Sequence, residues 1–317
     1  MIAVVGATGA QGGGLVRAIL ADPAGEFTVR ALTRDASSDK ALALKALGAE
    51  VVQVDMLDVN SVAAAFFENC HGAFCVTFFW DSMSPAVELE QARVQADAAA
   101  RAGVKHVLWS TLPDTRDHFP LGDDTMPTLE GGYKVPHFDA KNEANAFFTG
   151  NGLPVTFFQT VFYYDNLINF GLEPVRDEQG TLILNWPLGD GKKIPMIAAE
   201  DIGRCALGVF QRGQVTVGET VDTVGDQLTG YSLAQQLSVT LGEPVVYRPA
   251  TLEQYRSFGF PGAGELANQF QYFSSLTREY AETRERSSKK INPPLQSFID
   301  WLPSHVASIP VSPRSQA

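Results

Sequence analysis

The sequence predicts an α/β protein built on a doubly wound parallel sheet, followed by a smaller α+β lobe. Three observations predict it. Short apolar runs alternate with helical patterns through the first 160 residues, a glycine-rich turn joins the first run to the first helix, and the alternation changes after Phe162. Strands that are apolar along their whole length belong to parallel sheets covered by helices on both faces.

Taken in order, residues 2–5 (IAVV) form the first strand, and Leu15, Val16, Ile19 and Leu20 recur behind it at helical spacing. Residues 28–33 (TVRALT) form the second strand and residues 40–47 a helix. Residues 51–54 form the third strand, 61–68 a short helix, 73–79 (AFCVTFF) the fourth strand, 85–102 a long helix and 107–110 the fifth strand. A helix over 138–149 leads to a sixth strand beginning at 154–158. Beyond Phe162, glycine and proline loops separate short strands (182–184, 220–224) and helices (201–210, 232–241, 252–258). The expected division is a main domain over 1–160, a smaller lobe over 161–309 with segments interleaved with it, and a flexible tail over 310–317.

The 317 residues suffice for a sizeable core, and 45% hydrophobic with 19% charged residues is ordinary globular composition. A net charge of −12 repels phosphate backbones and argues against direct nucleic-acid binding, while leaving room for a local basic pocket. Cys70, Cys75 and Cys205 give neither a disulfide framework nor a zinc spacing, so they read as structural and no metal is expected. The N-terminus shows no charged, apolar and cleavable leader, and no apolar run reaches the roughly 18 residues of a membrane span. A soluble cytoplasmic protein is the expectation.

The strongest motif is Gly6-Ala7-Thr8-Gly9-Ala10-Gln11-Gly12, which leaves a strand and opens a helix. Gly6 permits the turn, Gly9 removes a Cβ that would block a pyrophosphate, and Gly12 lets helix and strand pack closely. The free N–H groups and positive dipole end of the helix then face the phosphates, which is the dinucleotide site of a Rossmann domain. The second strand ends Leu32-Thr33-Arg34-Asp35. An acid there would take a ribose 2′-OH; Arg34 instead suits a 2′-phosphate and points to NADP(H), with Asp35 beside it as a partial neutraliser. Asp55 and Met56 follow the third strand, where adenine lies, and Thr77 and Phe78 end the fourth, near the nicotinamide ribose.

GATGAQGG at 6–13, the Thr33-Arg34 strand end and VPHFDAK at 135–141 resemble the NmrA-like family, atypical relatives of the short-chain dehydrogenases/reductases. WSTLPDTR at 109–116 and GFPGAGELANQF at 259–270 resemble its HSCARG-like branch of NADPH sensors, and the likeness spans roughly residues 1 to 300. The resemblance implies NADP(H) in a cleft between domain and lobe. Gly6, Thr8, Gly9, Ala10, Gln11 and Gly12 would hold the phosphates and Arg34 the 2′-phosphate. Lys141 would lie by the nicotinamide ribose, and Thr160 to Tyr163 would line the nicotinamide end.

Typical superfamily members carry Tyr-x-x-x-Lys on one helix face, the lysine lowering the tyrosine pKa for proton transfer. No tyrosine here has lysine four residues on; the matching segment is His137-Phe138-Asp139-Ala140-Lys141. In one reading the acid is lost and the protein senses the NADPH/NADP ratio, with a regulatory protein as partner. In the alternative it is an NADPH-dependent reductase of a small carbonyl, imine or quinone, with His137 or Tyr133 as proton donor and Ser110 orienting the substrate. In a third, His137 is merely packed. A homodimer is compatible with each. Trp186, Phe258, Phe260, Phe270, Tyr272 and Phe273 serve either the lobe's core or the walls of an apolar pocket.

Overall fold

The computed structural model describes residues 1–66, 70–292 and 294–312. In chain order its strands are β1 (Ile2–Val4), β2 (Val29–Thr33), β3 (Glu50–Gln53), β4 (Gly72–Cys75), β5 (His106–Thr111), β6 (Val155–Gln159), β7 (Phe162–Tyr163), β8 (Val175–Arg176), β9 (Leu182–Leu184), β10 (Ile194–Ile197), β11 (Thr220–Asp222), β12 (Asp226–Leu228) and β13 (Val245–Tyr247). Seven of them pair in parallel in the order β11-β6-β5-β4-β1-β2-β3, with Ala3 of β1 opposite Arg30 and Ala73. The strand order reverses between β1 and β4, and open α/β sheets bind ligands in the crevice outside such a reversal.

The flanking helices follow local rules. The first six are α1 (Ala10–Ala21), α2 (Asp39–Ala46), α3 (Val59–Phe66), α4 (Phe79–Ser82), α5 (Pro85–Ala102) and α6 (Pro136–Glu143). For α5, Ser84 caps the Val87 N–H, Pro85 fills the first turn and Gly103 closes the end in the left-handed region. The helix expected over 61–68 is α3, and residues 67–69 lie outside the described ones. The helix expected over 138–149 begins two residues earlier, at Pro136, and divides at Ala144 into α6 and the helix Asn145–Gly150.

The fourth strand is shorter than its apolar run. Gln95 of α5 takes both the N–H and the carbonyl of Val76 at 3.1 Å, and Gln91 takes the Phe78 N–H at 3.0 Å. Side chains thus replace the strand ladder from Val76 onward, and the chain turns into α4, leaving the crevice open beside β1.

The C-terminal segments interleave with the main domain. β11 adds to the main sheet beside β6, Thr220 opposite Phe157. The helix Ala199–Arg212 lies on α1 at backbone contact: a Cβ on Gly203 would stand 2.0 Å from the Gly14 carbonyl carbon. The remaining strands form two three-stranded sheets, β12-β10-β7 and β13-β9-β8, over a second core containing Trp186, Phe270, Tyr272, Phe273 and Trp301. Phe258 and Phe260 are exposed instead. At the end of the described chain, Val311 packs on this core and Arg176 donates to the Ser312 carbonyl at 2.6 Å; residues 313–317 of the expected tail lie outside the described residues. Among the described residues no helix is long and apolar enough to cross a membrane.

Candidate functional site

The site begins where β1 ends. Gly6 turns in the left-handed region at φ 64°, and the turn is pinned by the Val5 N–H on Phe74 O (3.0 Å) and the Ala7 N–H on Leu32 O (3.2 Å). At Gly12 any Cβ would come within 2.5 Å of the Gly6 carbonyl oxygen, so only glycine lets α1 start this close to the strand. The first turn of α1 has no side-chain cap and no acidic residue. Its free N–H groups and the dipole's positive end make an anion site. These features fit the phosphates of a dinucleotide.

Arg34 leaves the end of β2 with its side chain 65% exposed. Its guanidinium pairs with Asp81 at 2.8 Å and lies 5.3 Å over the Phe78 ring. Because β2 and β4 flank β1, this pair spans the crevice above the glycine turn. Asp35 was expected to neutralise Arg34. Its carboxylate instead accepts from the Ser37 N–H (2.8 Å) and hydroxyl (2.6 Å), hydrogen bonds that hold its pKa below the usual aspartate value.

A cavity of about 350 Å³ runs from the turn into the C-terminal lobe. Of the expected site residues, Gly6, Gly9, Ala10, Gln11, Gly12, Thr77, Phe78, Ser110, His137, Lys141, Thr160 and Tyr163 line it. Five do not, Arg34 at the end of β2 among them. Thr8 is half-buried beside the turn, Asp55 is exposed where β3 ends and bonds the Leu57 N–H, and Met56 is packed in the main core. Tyr133, offered as a proton donor, is also away from the cavity walls. Its hydroxyl donates to Glu143 at 2.9 Å under the Arg116 guanidinium, and burial with that bond pushes its pKa up to about 12.

The far wall is aromatic and amide-bearing: Phe79, Trp80, Phe162, Phe170, Asn166, Asn169 and Gln269. Trp80 meets Phe170 edge-on at 5.0 Å, and Phe170 is itself partly exposed at the rim.

Two base–carboxylate pairs occupy the middle. Lys141 donates to the Thr77 hydroxyl at 2.7 Å and the Ser110 carbonyl at 3.2 Å, lies 5.1 Å over the Trp109 ring and stands 3.5 Å from Glu88 Oε1. Burial pushes the Lys141 ammonium below the ordinary lysine pKa against the pull of Glu88, and burial pushes the Glu88 carboxyl up. His137 meets Glu265 of the helix Ala263–Ser275 through Nδ1 and through its backbone N–H. A neutral chain joins Ser110, Gln11 and Tyr163: the serine hydroxyl donates to Gln11 Oε1, and Gln11 Nε2 donates to the tyrosine oxygen, both at 2.8 Å.

Sequence reasoning missed Glu88, Asp81 and Glu265. Glu88 had a signal: it shares the buried face of α5 with Ala92, Gln95 and Ala99, at the i, i+4, i+7 and i+11 positions, and an acid on an apolar face needs a partner. Asp81 and Glu265 had none, since their partners are distant in sequence.

A model of the NmrA-like family matches residues 1–302. Among curated proteins the chain is similar to the NmrA-like family domain-containing oxidoreductase FrzB of Cladobotryum sp, at 29% identity over 84% of this chain and 80% of that protein. It is also similar to the oxidoreductase hkm9 of Aspergillus hancockii, at 31% identity over 84% and 79%. Among solved structures it resembles Nmra, a negative transcriptional regulator, with a TM-score of 0.77 at 23% identity over 95% of this chain and 94% of that one. It likewise resembles the Citrobacter sp. triphenylmethane reductase complexed with NADP(H), with a TM-score of 0.73 at 22% identity over 94% and 97%. At these identities the structural likenesses establish the fold.

Proposed function

The chain belongs to the NmrA-like family, and from that premise we propose that it is an NADPH-dependent oxidoreductase reducing a small, flat, apolar substrate at a polarised C=O or C=N bond, a quinone included. One observation carries the reading: Ser110, His137, Lys141 and Tyr163 border a single cavity that is continuous with the glycine turn. The relatives named as oxidoreductases, and the fold-matched reductase complexed with NADP(H), support it.

Bound NADPH supplies a hydride. The chain's own residues do the rest. The free N–H groups of residues 10–12, with Thr8 at their flank, would hold the phosphates, and Arg34 would take the 2′-phosphate in place of Asp81. Lys141, fixed by Thr77 and Glu88, would bind the ribose hydroxyls, with the proximity of Glu88 opposing the loss of its positive charge. Thr160 and Tyr163 line the nicotinamide end, Ser110 orients the substrate's polar atom, and His137 supplies the proton. The aromatic wall exchanges water for apolar contact and favours a planar substrate, which the three amides orient.

A second reading keeps binding without turnover: NADPH sensing through a protein partner or a second copy of the chain. The Arg34–Asp81 bridge favours it, because a 2′-phosphate that takes Arg34 also frees Asp81 and α4 at the rim. The deciding experiment follows NADPH oxidation by its absorbance over a panel of aromatic aldehydes, cyclic imines and quinones, with Lys141→Ala alongside and NADPH binding measured separately. Turnover that falls about a hundredfold or more in the variant supports the reductase. Tight binding with no turnover across the panel supports sensing, and no NADPH binding refutes both.

A further inference from the structure

We propose that Glu265 is the positioning residue that holds His137 as a proton donor facing the cavity; the inference rests on the reductase reading above. His137 stands in the first turn of α6, where backbone N–H groups have no helical partner. Glu265 reaches it from the opposite lobe, from the first turn of the helix Ala263–Ser275. One carboxylate oxygen, Oε1, accepts from the His137 N–H at 2.8 Å and also contacts Nδ1, and both side chains are 8% exposed.

A carboxylate on Nδ1 decides which ring nitrogen does the work. Nδ1 keeps its hydrogen, and Nε2 becomes the position where protons come and go. Nε2 has no partner among the described residues, yet it is not sealed from solvent, and the ring lines the cavity. The ring is held in place by Phe79, Trp80 and Phe138, with centroids 5.5, 5.2 and 4.7 Å away. A cap alone would need only the backbone bond. Here the same oxygen also takes the ring nitrogen, which fixes the tautomer and orientation of the ring as well as the backbone.

The step balances. With a substrate C=X, where X is oxygen or nitrogen, the hydride from NADPH forms a C–H bond and the π pair moves onto X. X takes the proton from Nε2, so the Nε2–H bond breaks as X–H forms. NADPH is oxidised to NADP⁺ and the substrate is reduced by two electrons. The imidazolium becomes the neutral Nδ1–H ring, still bonded to Glu265, and a solvent proton restores it.

The test combines structure and rate. Ring-nitrogen NMR of His137 in the ligand-free protein should show the Nδ1–H tautomer in the wild type at alkaline pH, and the Nε2–H form predominating in Glu265→Ala. Glu265→Gln, which keeps an oxygen at the site, should lower kcat about tenfold or more on whichever panel substrate is reduced, while the Kd for NADPH stays within about twofold. His137→Gln should lose about a hundredfold, and adding Glu265→Gln to it should cost little more, because the two act as one unit. An Nε2–H tautomer in the wild type, wild-type kcat in Glu265→Gln, or losses that multiply in the double variant would each overturn the assignment. Wild-type protein that binds NADPH and reduces nothing overturns the reductase reading and this role with it. That failure is distinguishable, because the tautomer is read without substrate.

Discussion

Replacing Lys141 with methionine removes the ammonium from a fully buried carboxylate, and the loss should register as stability. The Glu88 side chain is 0% exposed, its Oε1 accepts from the Thr77 hydroxyl at 2.6 Å, and its Oε2 has no partner among the described residues. At 3.5 Å and an effective dielectric of about 20, Lys141 supplies about 5 kcal/mol of attraction. Removing one partner of a buried pair typically costs about 3–5 kcal/mol. The carboxylate has an escape, which is to take a proton. From the ordinary glutamate value of 4.5, protonation at about pH 7 costs about 3.4 kcal/mol, and at about pH 5 only about 0.7. The deficit of Lys141→Met relative to wild type is therefore capped near those figures. The sign follows from linkage: the variant's folded state binds a proton that its unfolded state has released, so its stability falls as pH rises above 4.5. Urea denaturation at the two pH values should show a deficit that widens from the lower to the higher by at most roughly 2–3 kcal/mol, since the wild-type Glu88 carboxyl is itself pushed up by burial. Adding Glu88→Gln should abolish the widening and recover most of the loss. An unchanged deficit at both pH values, or a further loss on adding Glu88→Gln, would refute the picture of a carboxylate held by its lysine.

Three other outcomes are expected. His106 is 0% exposed beside Thr156, and burial, reinforced by His71, lowers its pKa from 6.5 to about 4. The unfolded chain binds the extra proton between those values, so stability is lost as pH falls from 6.5 toward 4, by roughly 2–4 kcal/mol; His106→Gln should flatten that limb of a stability–pH curve. Gly203→Ala puts a methyl 2.0 Å from Gly14 backbone and should lower stability by roughly 1–3 kcal/mol or more in chemical denaturation, whereas a neutral result would mean the two helices do not meet there. Arg34→Ala should weaken NADPH binding about tenfold and leave NADH unchanged by calorimetry, and equal loss for both would remove the 2′-phosphate role.

The parts of the fold legible in the sequence are those written by local rules. The parallel sheet could be read from strands such as 2–5, because burial on both faces makes them apolar throughout. The glycine turn was legible because a positive φ at Gly6 and a missing Cβ at Gly12 are properties of one residue type. β11 was read as a strand but not as part of the main sheet. It pairs with β6 from more than sixty residues away, and the helix before it meets α1 through Gly203 against Gly14 across nearly two hundred residues, contacts that no local pattern announces. The end of β4 was misjudged for a similar reason: an apolar run reads as strand until Gln95, from the next helix, takes over the Val76 hydrogen bonds.

At the site the same division separates the bases from their counterions. His137 and Lys141 are four residues apart on one helix, so sequence alone puts them on one face. What each does is decided by a carboxylate brought from elsewhere: Glu88 across the main domain for the lysine, Glu265 from the other lobe for the histidine. Losing the tyrosine of the usual pair therefore does not by itself settle whether chemistry is lost. A lone histidine four residues before a lysine is ambiguous. A histidine whose Nδ1 is taken by a buried carboxylate 128 residues away in sequence has one nitrogen left to act with. On the proposed reductase reading, the packing of the helix Ala263–Ser275 against α6, rather than the motif, sets turnover, and a substitution that loosens this contact should cost turnover before it costs cofactor binding.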